Sequence, residues 1–293
     1  MPMSFNISHA CKTDVGLVRE HNEDSILYFQ PEDDSLAAQK GVLAIVADGV
    51  GGNAGGEVAS SMAVNAIRQC YYDDAESSSL SNSLGRSLRV ANHQIVEVSN
   101  TTPEYHGMAT TCTALVLTQE QVLIAHVGDS RAYRLRGSDF VQLTKDHSLV
   151  NELLGKGLIT EEESKNHPQG NVITRALGSQ DEVEVDIVEL PVERGDCFCL
   201  CSDGLSNMVS DQTIAETLYS KSPNESCEIL VELARQRGGY DNISVVTIKI
   251  DDYSVTAGTK TRRITEPYPN DICVSRLFLA CFGWAVRLFS KSS

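Results

Sequence analysis

Short runs rich in Val, Ile, Leu and Thr dominate this sequence, and Gly, Asp or Asn residues bound most of them. Such runs are typical of β-strands, and they fall at 6–13, 25–30, 42–48, 109–118, 121–127, 131–136, 139–143, 183–189, 196–202 and 243–250. Apolar residues at three- and four-residue spacing predict helices at 54–72, 80–100, 211–219 and 224–237. Because strands come in groups with helices between them, the pattern favours a layered α+β domain over a doubly wound parallel sheet.

One segment between the strands has a different character. Residues 145–178 are mixed in polarity and interrupted by glycine, so we interpret them as a helix-containing excursion. After the last strand the chain continues as DDYSVTAGTKT, which has the composition of a polar linker. The sequence therefore divides into a domain at 1–252, a linker at 253–271 and a tail at 272–293.

Two local patterns refine the elements. In VLIAHVGDSRAYRL, residues 122–135, two short strands flank Gly-Asp-Ser, which predicts a hairpin. Asp211 and Pro223 are favourable first residues for the last two helices, since acidic residues and proline are preferred in a first helical turn.

Composition limits the kinds of partner this chain can bind and indicates its cellular compartment. The formal net charge of −16 disfavours nucleic acid as the main partner. The first residues, MPMSFNISHACK, contain no apolar h-region of a secretory signal. Nine scattered cysteines fit reduced thiols better than a disulfide framework. We therefore expect a cytoplasmic protein, in which Cys197, Cys199 and Cys201 share one strand face and pack as small apolar side chains.

Four aspartates stand where predicted strands begin or end. Asp48 follows VLAIVA, Asp129 follows IAHVG, Asp203 follows CFCLCS, and Asp241 precedes ISVVTIKI. An isolated Asp-Gly is usually only a turn, but four such carboxylates at one edge would repel one another unless a cation lies between them. Oxygen ligands suit Mg²⁺ or Mn²⁺, and no zinc motif accompanies them. The pattern therefore predicts a site for hard metal ions.

The glycine-rich loop after residue 48 has a competing interpretation. Gly49, Gly51 and Ala54 match G-x-G-x-x-A, one form of the dinucleotide-binding fingerprint. That site also needs a second strand that ends in an acidic residue about 20 positions later, and the chain continues there as helix. We therefore interpret the loop as a metal-anchoring turn, with Asp48 as a ligand and the Gly49 carbonyl close to the ion.

Ordered motifs across residues 8–250 extend this pattern. They are DVGLVREHNEDS (14–25), ADGVGGNAGGE (47–57), GMATTCTALVL (107–117), HVGDSRAYRL (126–135), LTKDHS (143–148), ITRALG (173–178), CSDGL (201–205) and YDNISVV (240–246). With all eight in this order, the chain resembles the metal-dependent Ser/Thr protein phosphatases of type 2C. The R-x-x-N-E-D and D-G-V-G-G forms resemble the bacterial branch.

The resemblance implies a fold and an activity. The fold would be a four-layer α-β-β-α sandwich with a central antiparallel β-sandwich. The activity would be hydrolysis of phosphoserine and phosphothreonine in proteins, by a water activated at a dinuclear Mn²⁺ or Mg²⁺ centre. The partners would be phosphorylated proteins, and the enzyme would oppose a bacterial Ser/Thr kinase in signalling.

The resemblance also implies the metal ligands. Asp48 would bridge two ions, and Gly49 would offer its carbonyl oxygen to one of them. Asp203 and Asp241 would hold the second ion. Asp129 would join Asp203 at a third ion, as in bacterial members.

Further roles are implied for the region before the first glycine loop. Arg19 would bind the substrate phosphate, for which a guanidinium fork is suited, while Glu23 and Asp24 would orient the metal-bound water. Residues 145–178 would correspond to the flap beside the site, which varies among members and influences substrate choice.

One position departs from part of the family. Some relatives have a histidine, proposed as the general acid, where this chain has Val50, whose side chain carries no proton to donate. His126 and His147 are not obvious substitutes, because histidine is often simply a hydrogen-bonded structural residue. The proton for the leaving group would then come from metal-bound water or from another group.

The tail lies outside the resemblance. Residues 257–293 carry six Lys or Arg and only two Asp or Glu, although the whole chain has a net charge of −16. Residues 272–289, ICVSRLFLACFGWAVRLF, place Arg276 and Arg287 on a narrow stripe of an otherwise apolar helix. Such a helix suits contact with a membrane surface, and docking on the domain or on a partner is the alternative.

Two other functions stay open from the sequence. The site could act chiefly on small phosphoesters, which a comparison of phosphopeptides with metabolites would test. The chain could also be a catalytically silent module that binds phosphoproteins, and the complete set of aspartates argues against that.

Overall fold

The computed structural model describes residues 5–51, 55–75, 77, 79–165 and 167–253. The predicted tail, the end of the linker and part of the glycine loop lie outside the described residues. The strands are β1 (Phe5–Asp14), β2 (Asp24–Phe29), β3 (Val42–Val50), β4 (Ala109–Thr110), β5 (Cys112–Leu117), β6 (Gln121–Val127), β7 (Arg131–Arg136), β8 (Asp139–Gln142), β9 (Asp186–Pro191), β10 (Cys197–Cys201) and β11 (Ile243–Tyr253). The helices are α1 (Asp34–Lys40), α2 (Gly55–Asp73), α3 (Leu80–Thr101), α4 (Leu149–Gly155), α5 (Glu161–Lys165), α6 (Asp203–Ser206), α7 (Asp211–Ser220) and α8 (Pro223–Gln236).

The strands form two antiparallel sheets. The first sheet has the order β1-β11-β10-β7-β8, and the second has the order β2-β3-β5-β6-β9, with the short β4 paired to β3. Strands β1 and β11 pair along their whole length, so the start of the domain is closed by its end. The prediction of an α+β fold with a central antiparallel sandwich is confirmed.

Three apolar layers follow from the two-residue period of the strands. In β3, Leu43 and Ile45 face helices α2 and α3, while Ala44 and Val46 face the other sheet. In β10 the three cysteines face α7 and α8, whereas Phe198 and Leu200 fill the space between the sheets. Because both faces of these central strands are covered, their sequences are apolar throughout rather than alternating. The result is four layers in the order α-β-β-α.

The helices of the outer layer begin where the sequence indicates. Ser210 caps α7 through the amide of Thr213. Ser222 and Glu225 form a reciprocal capping box at the start of α8, with Pro223 as its first residue. The boundaries predicted from Asp211 and Pro223 are therefore confirmed.

The predicted hairpin at residues 122–135 is wrong. Strand β6 belongs to the second sheet and β7 to the first, so Gly-Asp-Ser crosses from one sheet to the other. Gly128 has φ +113°, and a Cβ at this position would collide with the side chain of Thr111, so a larger residue would not fit there. This crossing places Asp129 at the end of the sandwich instead of at the tip of a hairpin.

Other predicted elements need smaller corrections. The run at 109–118 is two strands, β4 and β5, separated by Thr111, and the run at 183–189 begins later, at Asp186. The excursion contains the helices α4 and α5, as its description anticipated. The short helices α1 and α6 had no clear periodic signal. No helix among the described residues is long and apolar enough to cross a bilayer.

A buried histidine makes the stability of the fold depend on pH. Burial lowers the pKa of His126 in β6 to about 3 from its ordinary value of 6.5, and a protonated His147 nearby would add repulsion. The unfolded chain therefore takes up a proton at His126 between these two values, and the folded chain does not. The free energy of unfolding should fall as pH falls below 6.5, by about 1.4 kcal/mol per pH unit from this group.

We expect His126→Asn to reduce this pH dependence. Asparagine can keep a contact with Thr113, whose hydroxyl lies 3.0 Å from Nδ1 of His126, but it cannot titrate. Urea unfolding between neutral pH and about pH 5 should give a shallower decline for the variant, whatever its absolute stability. Equal slopes for the two proteins would show that His126 is not the group responsible.

Candidate active site

A cavity of ≈ 410 Å³ opens at one end of the sandwich. Most of the predicted site residues line it together, although they are far apart in sequence. They are Arg19, Glu23, Asp48, Gly49, Asp129, Asp203 and Asp241, joined by Val50, Gly51, Thr111, Asn171 and Ile173. The β-sandwich therefore brings to one place the carboxylates that the sequence placed at separate strand ends.

Hydrogen bonds from β4 and its neighbour fix the backbone of Asp48. The Asp48 amide donates to Thr111 Oγ1 over 3.0 Å, and the Thr111 amide donates to the Asp48 carbonyl over 2.8 Å. The Thr110 hydroxyl donates to the same carbonyl over 2.9 Å. These threonines lie in the T-T-C-T motif, and sequence reasoning gave them no role. With its backbone held in this way, the Asp48 carboxylate keeps a defined position in the cavity.

The glycines after Asp48 and Asp203 are required by close packing of the backbone. A Cβ on Gly49 would lie under 3.0 Å from the carbonyl oxygens of Glu23 and Gly56. A Cβ on Gly204 would meet the carbonyl of Asn242 in the same way. Asp-Gly therefore recurs here because separate chain segments cross at the cavity wall, and a turn alone does not account for it.

The carboxylates in the cavity share an unfavourable environment. Burial, followed by the charges of Asp24 and Asp203, raises the pKa of Asp48 well above its ordinary value. Burial and the charge of Asp203 raise the pKa of Asp129 to about 7. Burial and the charge of Asp241 also raise the pKa of Asp203, against a smaller opposite effect of contact with Asp48. A cation in the cavity would remove this repulsion.

Two buried carboxylate oxygens in the described part of the chain also lack a hydrogen-bond donor. They are Oδ1 of Asp24 and Oδ1 of Asp203. An ionised oxygen that is buried without a partner is costly. At Asp203, which lines the cavity, a bound ion would supply that partner. The donor set therefore fits a divalent cation.

Asp24 lies behind the cavity wall rather than in its lining. Its Oδ2 accepts a hydrogen bond of 2.8 Å from the Ser202 hydroxyl, and its backbone pairs with Asp48 across β2 and β3. Burial, partly offset by hydrogen bonds from Ser244 and Ser202, raises the pKa of Asp24 to about 7. Of the two residues predicted to orient water, Glu23 lines the cavity and Asp24 supports it from behind.

Arg19 also lines the cavity, next to Asp241. Its Nη2 donates to Asp241 Oδ2 over 2.7 Å, and half of its side chain is exposed. Burial opposes the Arg19 charge, but the hydrogen bond and the charges of Asp241 and Glu23 outweigh it and raise the pKa of Arg19. A fixed, exposed guanidinium beside the carboxylates can bind an anion that enters the cavity.

Asn242 positions the loop that carries Arg19, and sequence reasoning assigned no role to it. Its side-chain amide donates to the carbonyls of Val15 and His21 over 3.0 and 2.9 Å. Its Oδ1 accepts from the amide of Glu23 over 2.8 Å. The Y-D-N motif contained this signal, since asparagine offers a donor and an acceptor to nearby backbone.

The excursion at 145–178 contributes Asn171 and Ile173 to the cavity. A neighbouring cavity of ≈ 620 Å³, lined largely by polar residues of the excursion, shares Asp129, Asn171 and Asp203 with it. The excursion therefore contributes to the wall of the cavity, and its assignment as a flap stays a prediction.

His147 joins the base of the excursion to the turn before Asp129. Its ring Nδ1 accepts from the amide of Gly128 over 3.0 Å, and its own amide donates to the Gly128 carbonyl over 2.7 Å. The amide of Thr174, at the other end of the excursion, donates to the His147 carbonyl over 2.8 Å. This histidine thus positions backbone, and it does not line the cavity described above.

Val50 lines the cavity and is 45% exposed. His126 is buried in β6, where it contacts Thr113 and the Lys145 carbonyl. The expectation that neither His126 nor His147 replaces an acid at position 50 agrees with these positions.

The cysteines of β10 are buried and unpaired with one another. Burial raises the pKa of Cys197 and of Cys201 to about 12, so neither is a thiolate at neutral pH. Their packing against the outer helices confirms the prediction that they act as small apolar residues.

Within the described ranges, no three His, Cys, Asp or Glu side chains stand close enough to enclose one ion by themselves. Mg²⁺ usually takes one or two protein carboxylates and keeps several waters. The cavity therefore suits ions that are held partly through water, with Asp48, Asp203 and Asp241 among the carboxylates that line it.

Comparison with known proteins places this chain in a family. The family model of protein phosphatase 2C matches residues 23–234. The chain is 39% identical over 244 residues to the serine/threonine phosphatase stp of Listeria monocytogenes, a match that covers 82% of this chain and 94% of that protein. It superposes on the Mycobacterium tuberculosis serine/threonine phosphatase PstP/Ppp with a TM-score of 0.75 and 38% identity, over 84% of this chain and 99% of that one. The catalytic domain of PstP in complex with two manganese ions gives a TM-score of 0.72 at 38% identity, over the same 84% and 99%. The chain belongs to the protein phosphatase 2C family.

Proposed function

We propose that this protein is a metal-dependent phosphatase that removes phosphate from serine and threonine residues of other proteins. The observation that carries the proposal is one cavity that combines Asp48, Asp129, Asp203 and Asp241 with the exposed guanidinium of Arg19. The carboxylates can bind metal ions, and the arginine can bind a phosphate. Membership of the protein phosphatase 2C family supports the same activity.

The ions would be Mn²⁺ or Mg²⁺, two in number and with a third position near Asp129. The two manganese ions of the PstP catalytic domain support this choice. Asp48 would contact both central ions, Gly49 would offer its carbonyl oxygen, and Asp203 and Asp241 would hold the second ion. When bound, such ions lower the pKa of a shared water toward neutrality and offset the charge of the phosphate.

Arg19 would hold the phosphate during the reaction. A guanidinium can donate two parallel hydrogen bonds to phosphate oxygens, and Asp241 keeps it in place at 2.7 Å. Glu23, at the cavity wall, is positioned to accept a hydrogen bond from the attacking water. Water attacks phosphorus, the bond from phosphorus to the serine or threonine oxygen breaks, and inorganic phosphate leaves. No covalent intermediate with the protein is needed.

The leaving oxygen must gain a proton, and Val50 has none to give. Among the described residues that line the cavity there is no histidine. We infer that solvent water supplies this proton. Protonation of the leaving oxygen would therefore require no histidine side chain.

Bacterial relatives named as serine/threonine phosphatases support a role in signalling, in which the enzyme would oppose a Ser/Thr kinase. The substrates would be phosphoproteins that this kinase modifies. The basic, apolar tail at 272–289 would bring the enzyme to a membrane surface.

The metal requirement gives the first test of activity. Phosphate release from a phosphothreonine peptide should need Mn²⁺, stop in EDTA and return when Mn²⁺ is restored. Asp203→Asn should lower kcat by about 10³-fold or more, because metal ions supply several kcal/mol of transition-state stabilisation. Asp139→Asn, an exposed aspartate on β8, is the matched control and should retain activity.

Binding of Mn²⁺ can be measured apart from turnover. Titration calorimetry should show weaker binding to the Asp203 variant and unchanged binding to the Asp139 variant. Full activity of Asp203→Asn in limiting Mn²⁺ would contradict the proposed ligand role.

Removal of Arg19 tests the phosphate site. Arg19→Ala should raise KM for a phosphothreonine peptide about 10- to 100-fold, as expected for loss of a charged hydrogen bond. Arg89→Ala, on the exposed side of α3, is the control. Inorganic phosphate should also become a weaker competitive inhibitor of Arg19→Ala, and an unchanged inhibition constant would count against this assignment.

Deletion of residues 257–293 tests the tail. The full chain should sediment with vesicles that contain anionic lipid, and the shortened chain should stay in the supernatant. The shortened chain should keep its peptide phosphatase activity, because the site residues lie between 19 and 241. Retained turnover would also exclude Cys281, which precedes Arg287 at the C-x₅-R spacing of cysteine-dependent phosphatases. Equal sedimentation of both forms would refute a membrane role for the tail.

A further inference from the structure

Several large exposed apolar side chains are close in the chain to residues that line the cavity. In the described part of the chain, eight such side chains are exposed: Leu17, Val18, Val50, Leu158, Val172, Ile187, Tyr219 and Tyr240. Four of them directly flank Arg19, Gly49 or Asp241 in the chain, on two loops and at the end of β3. Single exposed apolar residues are ordinary on protein surfaces, but a group beside a binding site indicates a contact surface.

We call Leu17, Val18, Val50 and Tyr240 the apolar rim. Their exposed fractions are 59%, 60%, 45% and 63%. Leu17 and Val18 directly precede Arg19, Tyr240 directly precedes Asp241, and Val50 follows Gly49. The rim residues therefore belong to the same chain segments as the residues proposed to bind phosphate and metal ions.

The backbone beneath the rim is fixed by hydrogen bonds. The Leu17 amide donates to the Gly239 carbonyl over 2.7 Å, which joins the two loops. Gly16 has φ +81°, and a Cβ there would collide with the carbonyls of Gly239 and Asp241. The Asn242 side chain holds the first loop from below. The apolar side chains thus stand outward on an ordered backbone, so binding to them costs little ordering of the loops.

The position of the rim determines what can cover it. A phosphate bound by Arg19 belongs to a serine or threonine, and the chain on either side of that residue must leave the cavity across its mouth. Because the rim residues adjoin Arg19 and Asp241 in the chain, the near neighbours of the phosphoresidue are the substrate residues that can contact them.

We propose that the apolar rim binds apolar side chains next to the phosphorylated residue, so that the enzyme prefers phosphoproteins with such neighbours. This inference rests on the proposed phosphatase activity. The part of the site near Asp129 and Asn171 is different in character, because the ≈ 620 Å³ cavity that adjoins it is lined by polar side chains such as Ser148, Asn151 and Gln169. The substrate chain therefore meets an apolar surface at the rim and a polar one near Asp129 and Asn171.

The preference can be measured with two phosphothreonine peptides of equal length and charge. One carries Leu and Ile beside the phosphothreonine, and the other carries Ser and Gln. The full chain in Mn²⁺ should hydrolyse the apolar peptide with kcat/KM about tenfold higher, because burial of one or two apolar side chains supplies that difference. Each value is divided by kcat/KM for p-nitrophenyl phosphate, which carries no peptide chain, so that changes at the reacting centre cancel.

Variants of the rim should remove the preference. Val18→Ser and Tyr240→Ser should bring the ratio between the two peptides close to one, whereas Val18→Ile should keep it. Tyr219→Ser is the matched control, since Tyr219 is 71% exposed but belongs to α7 and lies outside the excursion. This control should show the wild-type ratio. Circular dichroism confirms that each variant is folded.

Three results would overturn the proposal, and they are distinguishable. Equal kcat/KM for both peptides with the wild-type protein would leave the phosphatase intact and remove the preference. A preference that survives in Val18→Ser and in Tyr240→Ser would place its origin elsewhere. A dimer in sedimentation equilibrium that dissociates in both rim variants would assign the rim to a second copy of the chain. Absence of hydrolysis of either peptide and of p-nitrophenyl phosphate would instead refute the proposed function itself.

Discussion

Mutual repulsion among carboxylates at one end of the sandwich is the constraint on which this structure depends. Burial and neighbouring negative charge raise the pKa values of Asp48, Asp129 and Asp203, so bringing these side chains together carries an electrostatic cost. The cost can be sustained because each aspartate is attached to a strand end or a crossing that the apolar layers fix in place. The same repulsion favours a divalent cation in the cavity, and a flexible loop would relieve it by moving the side chains apart.

The sequence predicted the strands and the outer helices well, because their burial patterns have simple periods. Asp48 and Asp203 could be identified because each ends an apolar run and precedes glycine. The reason for those glycines could not be read from the sequence, since Gly49 and Gly204 are required by segments that approach from Glu23 and Asn242. Sequence distance hides such contacts. The hairpin at 122–135 was predicted wrongly for a related reason, because two adjacent strands with a tight connection can belong to different sheets.

The same limit applies to supporting residues. Asn242 and the threonines before β5 hold the site through their side chains, yet no periodicity or charge pattern distinguishes them from ordinary polar residues. His147 is similar, since the sequence indicates only that it does not obviously replace a general acid at position 50. Its contacts with Gly128 and Thr174 show that one residue joins the excursion at 145–178 to the turn of Asp129. Movement of the excursion would therefore shift the turn that carries the Asp129 carboxylate.

The arrangement separates two tasks that a protein phosphatase must combine. Chemistry at phosphorus depends on charge, and the proposed roles of the aspartates and Arg19 would serve any phosphomonoester alike. Discrimination among proteins must then come from surfaces outside the cavity that contact the neighbouring residues. Because the rim residues share their loops with Arg19 and Asp241, a substrate chain that packs on the rim also has its phosphate directed to the guanidinium. Apolar contact on these loops thus contributes to orientation as well as affinity, and orientation is what raises the rate of attack by water.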